Sequence, residues 1–207
     1  MNAHALPISR ANKCRILMLA GCLLPTLAMA HPGHYHPGEK DEFDTLLAGF
    51  AHPFSGWDHL LIALAVGGFA MALGRRLGAA AAASFLAALA AGAILGHGMG
   101  AGAGLEVALA ATLLMAGAGL IAGRLPSAAL LLMALALGGG IHGFAHGAEA
   151  PTTISIGMLV GGWVGGTAVL IGMGAALQRA ASRHAWLPRL AGALLVSTGT
   201  VALLHLI

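Results

Sequence analysis

Charge is what this chain most lacks. Asp, Glu, Lys and Arg together make up 8% of its 207 residues, while 58% are hydrophobic. Soluble domains carry roughly 25% charged residues. A chain this poor in charge cannot clothe a water-facing surface, and it reads as an integral membrane protein of one domain. Cysteine is nearly absent too. Cys14 and Cys22 both fall in the first 30 residues. A chain cleaved after that segment would hold no disulfide framework and no thiolate metal site, so any metal site would rely on nitrogen and oxygen ligands. The net charge of +3 comes from scattered Arg between apolar spans, without a basic face, which excludes a nucleic-acid partner. Aromatic residues are only 5%, thin for a haem pocket. No G-x-x-x-x-G-K-[ST] motif is present, so the chain has no visible means of hydrolysing ATP.

What is there begins with an export signal. Arg10, Lys13 and Arg15 precede the short apolar run "ILMLAGCLLPTLA", and "AMA" at 28–30 fits the small-x-small cleavage rule. The mature chain is expected to begin at His31. A rival reading takes "LAGC" at 19–22 as a lipoprotein box with Cys22 lipidated. The expected organisation is a signal peptide over 1–30, a His-rich periplasmic tail over 31–45 and a single transmembrane domain over 46–207. A helix needs about 20 apolar residues to cross the hydrocarbon core. Six segments qualify: roughly 55–74, 77–97, 104–123, 127–146, 153–178 and 187–207. The stretch 43–52 is too short to span, is broken from the next helix by Pro53, and is expected to be interfacial or partly inserted. The fold class is therefore all-α, a polytopic membrane helical bundle of about six transmembrane helices.

Orientation follows from arginine. Arg75, Arg76, Arg124, Arg179, Arg183 and Arg189 fall in alternate loops, which marks that face as cytoplasmic. The expected location is the bacterial inner membrane, with both termini periplasmic. His31, His34 and His36 then lie in the exported tail. His52, His59, His97, His142, His146 and His205 lie toward the same outer side, with Asp58, Glu106 and Glu149. Only His184 among the mature histidines falls on the other side.

An acid several residues into a membrane helix costs at least ~3 kcal/mol and marks a functional site by default. Asp58 stands beside His59 in "HPFSGWDH", 52–59. The two side chains point about 100° apart on a helix, so both face one lumen only if the site is broad. His52 precedes Pro53 and can fold back toward them. His142 and His146 are spaced i, i+4 on one helix face, with Glu149 about one turn further. Imidazole and carboxylate together suit Ni²⁺, Co²⁺, Zn²⁺ or Cu²⁺, and four to six such ligands suffice for a six-coordinate ion. The glycine-rich "GHGMGAGAG" and "GGGIHGFAHG" read as unwound backbone lining a cavity. Gly157, Gly161 and Gly165 read as close helix contacts. Blander readings stand beside these. The tail histidines suit a solvated linker, and His97 and His205 suit the interface. Glu106 suits a helix N-terminus. Trp57, Trp163 and Trp186 suit interfacial anchors or packing.

The motif "HPFSGWDHLLIALAVG", 52–67, has the form H-P-x-x-G-x-D-H followed by Gly67. It resembles the signature of the HupE/UreJ family, membrane proteins tied to hydrogenase and urease maturation and regarded as nickel or cobalt permeases. The resemblance implies metal handling by His52, Asp58 and His59, with a second metal role for the "HGxxHG" of 142–147. It does not separate nickel from cobalt. The expected activity is a secondary permease importing Ni²⁺ or Co²⁺, not an enzyme. The metal is its transported substrate, and no resident cofactor is expected. The expected metal-handling set is His52, Asp58, His59, His142, His146, His97, Glu149, His31, His34 and His36. The lipid bilayer is a partner; a second copy of the chain or a cytoplasmic metallochaperone stays open. Rival readings are an intramembrane zinc hydrolase using Ser55, Asp58, His59, His142 and His146, a metal sensor that binds without transport, and a haem cytochrome.

Overall fold

The computed structural model describes residues 42–206 apart from 103, 124, 125, 182, 183 and 185. The expected export signal, both cysteines, His31, His34, His36, Arg124 and Arg183 lie outside the described residues. Seven α-helices follow one another among these: α1 Glu42–Ala51, α2 Trp57–Ala72, α3 Arg75–Gly96, α4 Leu105–Ala122, α5 Ala128–Glu149, α6 Ile156–Ala181 and α7 Trp186–Leu204. The described residues contain no strand.

Five of these helices, α3 to α7, are long and apolar enough to cross a bilayer. The first expected span is not a single helix. α2 has 16 residues and rises only ~24 Å, short of the ~30 Å of hydrocarbon. It joins α1 through a one-turn 3₁₀ segment, His52–Phe54, at a bend of 78°. The two pieces together pass as a sixth, broken span or as a re-entrant pair. Pro53 removes a backbone donor at the turn, and Gly56 is extended at φ −107°, ψ 133° as the N-cap of α2. Those two residues separate the pieces.

Pairs of helices approach closely through glycine. α3 and α5 run parallel: Gly139, Gly143 and Gly147 lie on the carbonyls of Phe85, Leu89 and Ala93, and in return Gly92 and Gly96 lie on Gly140 and Phe144. A β-carbon at any of these positions would collide with the facing backbone. The glycines of "GGGIHGFAHG" therefore pack rather than unwind, and α5 runs unbroken to Glu149. Each helical glycine costs about 1 kcal/mol in propensity; the close backbone approach offsets that cost. In "GHGMGAGAG" the helix does end, at Gly96, and Gly98 and Gly100 take positive φ.

The small-residue contact on α6 is also shifted from the expected register. Gly162 and Gly166 receive the backbone of α1 at Leu46 and Phe50. Gly161 and Gly165 only touch the Leu46 and Phe50 side chains, and Gly157 touches nothing. α1 thus runs along the first half of α6. Further along, Gly67 and Gly174 bring α2 against the second half. Facing outward are Ile94, Leu95, Met115, Met133 and Leu137, each at least 60% exposed. So many bare apolar side chains would aggregate in water and are at home against lipid. Arg75, Arg76, Arg179 and Arg189 cluster at the α2–α3 and α6–α7 connections, one end of the bundle. Asp58, Glu106, Glu149 and every described histidine except His184 lie toward the other.

Candidate metal centre

The centre is built where the broken span meets α5 and α6. His52 opens the 3₁₀ turn. The amide and the hydroxyl of Ser55 both donate to the His52 carbonyl, at 3.0 Å and 2.7 Å. These bonds hold the turn and commit the Ser55 hydroxyl to it. Asp58 and His59 stand in the first turn of α2. His146 comes from the last turn of α5.

Ligand nitrogens of His52, His59 and His146 all lie within 4.8 Å of one another. The ring centroids are 4.5 Å apart for His59–His146, 4.8 Å for His52–His146 and 5.2 Å for His52–His59. Three nitrogens each ~2.1 Å from one ion stand ~3.0–3.6 Å apart, about 1 Å closer than the widest spacing here. Small ring rotations therefore close this trio on a single cation. His52 Nε2 and His59 Nδ1 are buried without a hydrogen-bond partner. Buried polar atoms are normally satisfied, and the orphaned His52 nitrogen points to a missing partner; His59 Nδ1 faces Asp58.

Asp58 stands behind His59 rather than among the three nitrogens. Its Oδ2 lies 3.3 Å from His59 Nδ1, at ion-pair distance but too poorly aligned for a hydrogen bond. A carboxylate in that place orients the ring and offsets the charge of a bound cation. Gly56 gives this pair its room: a β-carbon there would come within 2.7 Å of Asp58 Oδ1 and 2.9 Å of the His59 ring.

His142 lies one turn deeper on α5 and is 2% exposed. Its ring centroid is 6.2 Å from that of His59, and it falls outside the trio. His59, His142 and His146 line a pocket with Pro53, Ile62 and Thr167. That pocket holds about 10 Å³, the room of one water molecule.

The other expected ligands are placed elsewhere. His97 caps the end of α3, half-buried, with Nδ1 lacking a partner. Glu149 is the final residue of α5 and is exposed; its carboxylate is not grouped with the histidines. Glu106 is exposed in the first turn of α4. His205 is exposed, its Nδ1 paired with the Val201 carbonyl at 2.9 Å.

Of two further neighbours, the sequence read one as an anchor or packing residue and left the other unread. Trp163 of α6 is 3% exposed and stacks on His146 at 5.1 Å and 26°, so it is a packing residue of the centre and not an interfacial anchor. Thr112 of α4 is bonded to His142 Nε2 at 2.9 Å. A buried hydroxyl in an apolar span was the only signal for Thr112, and it named no partner.

Residues 18–202 match the family model described as HupE / UreJ protein. The chain is also similar to Protein HupE of Rhizobium leguminosarum bv. viciae, at 34% identity over 191 residues that cover 89% of this chain and 94% of that protein. No solved structure matches it. A match over most of its length, carried by helices that gather three histidines at a broken span, makes this multi-pass membrane protein a member of the HupE/UreJ family.

Proposed function

We propose that this protein is a secondary permease that imports Ni²⁺ or Co²⁺ across the bacterial inner membrane and supplies it for hydrogenase or urease maturation. The observation that carries this reading is the trio of His52, His59 and His146, drawn from three segments to within 4.8 Å. Imidazole nitrogen suits nickel and cobalt, and selection among divalent metals rests on geometry and ligand type. The trio lies at the end of the bundle away from the arginines, which the positive-inside rule assigns to the periplasm. Capture there needs no ATP; the membrane potential or a cytoplasmic metal sink supplies the driving force. Asp58 lowers the cost of bringing a dication into low dielectric. The tail histidines His31, His34 and His36 raise the local metal concentration.

The test is uptake of radioactive nickel at submicromolar concentration into cells expressing the chain, beside Asp58→Ala at matched membrane levels. Accumulation by the wild type alone, competed better by cobalt than by zinc, is the expected result. If neither accumulates nickel while the purified protein still binds it, the transport reading fails and a hydrolase or a sensor takes its place.

A further inference from the structure

Thr112 makes two short contacts through one oxygen. Its Oγ1 lies 2.7 Å from the Leu109 carbonyl and 2.9 Å from His142 Nε2. A hydroxyl has one proton to give, and a carbonyl only accepts. Two oxygens at 2.7 Å without a proton between them would repel. The Thr112 proton therefore goes to Leu109, and the same oxygen accepts from His142. That requires the hydrogen of His142 to be on Nε2, and a neutral imidazole then carries its lone pair on Nδ1.

The consequence is a second nitrogen on the way inward. His142 lines the pocket that His59 and His146 also line. His59 is the neighbour common to both groups, 4.5 Å from His146 and 6.2 Å from His142 between ring centroids. We propose that Thr112 is a positioning residue that locks His142 as the Nε2–H tautomer, so that Nδ1 accepts the cation when it leaves the outer trio. The bond also fixes the ring plane, as hydrogen bonds behind metal-ligating histidines do. This inference rests on the permease reading: a cation that is not moved needs no second station.

Thr112→Val keeps the shape and removes the hydroxyl, while Thr112→Ser keeps the hydroxyl. Three measurements decide: ¹⁵N-histidine NMR of the purified full chain, Ni²⁺ binding by equilibrium dialysis, and ⁶³Ni²⁺ uptake into cells. The wild-type spectrum should show a protonated Nε2 and a bare Nδ1 on the His142 ring. Thr112→Val should lower maximal uptake about 10-fold or more, the scale of lost outer-shell partners. Ni²⁺ affinity should stay near that of the wild type, because the outer trio is intact. Thr112→Ser should restore uptake. A wild-type spectrum with the proton on Nδ1 overturns the proposal without any variant. So does uptake by Thr112→Val equal to the wild type, or an equal loss in Val and Ser. A wild type that moves no metal removes the permease reading itself, and this step with it.

Discussion

Two segments of this protein each carry two histidines among glycines, and they fold in opposite ways. "HPFSGWDH" breaks its span, with a 78° bend between α1 and α2. "GGGIHGFAHG" runs through as continuous helix. The difference lies in what the glycines and proline meet. Gly139, Gly143 and Gly147 meet the backbone of α3 at close range, and that contact holds the helix straight. Pro53 and Gly56 interrupt the backbone ladder, and what Gly56 meets first is the side chains of Asp58 and His59. One segment is a rigid wall that presents His142 and His146 at fixed height. The other is a hinge that brings His52 and His59 to it. The trio takes one histidine from the wall and two from the hinge.

The first way to test this contrast is to remove the wall's ligand. His146→Ala should reduce nickel uptake by more than about 100-fold, beyond the loss usual for outer-shell partners, with the protein still folded in detergent. Uptake within tenfold of the wild type would mean that the trio is not the capture site. Next, Gly143→Ala should injure the wall itself, because its β-carbon meets the Leu89 backbone. Overpacking of this kind costs about 1–3 kcal/mol, and the melting temperature of the purified protein should fall clearly. An unchanged melting temperature would show that the α3–α5 approach is not tight.

Proton competition tests wall and hinge together. Imidazole binds metal only when neutral, so protons compete with the cation. Uptake should therefore decline as pH is lowered from about 7 toward 5. Uptake that climbs steadily toward pH 5 would contradict histidine ligation. The smallest effect is expected on the hinge. Gly56→Ala should leave the melting temperature near the wild type and weaken Ni²⁺ binding several-fold, about 1 kcal/mol at the metal, by displacing Asp58 and His59. A larger loss of stability than of binding would reverse the roles assigned to the two segments.

Much of this was legible in residue order. The apolar runs mark the spans because hydrocarbon rejects charge, so membrane helices need about 20 consecutive residues without it. Asp58 and His59 stood out for the same reason, and Pro53 announced the break. The i, i+4 spacing put His142 and His146 on one face of α5, as found. It did not tell which of the two meets His52. That depended on the height at which α1 and α2 pack along α6, set by Gly162 and Gly166 instead of their neighbours Gly161 and Gly165. Glu149 follows the same helix but is its last residue, exposed and apart from the trio.

By itself the sequence determined the class of the molecule and its five long apolar helices, because composition and hydropathy are read along one chain. Only the tertiary structure decided which ligands form one centre. Thr112, His142 and Trp163 sit on three different helices, and no local rule ties them. They meet through the depth at which the helices pack, a property of the assembled bundle. That depth leaves Thr112 beside His142 and Trp163 against His146.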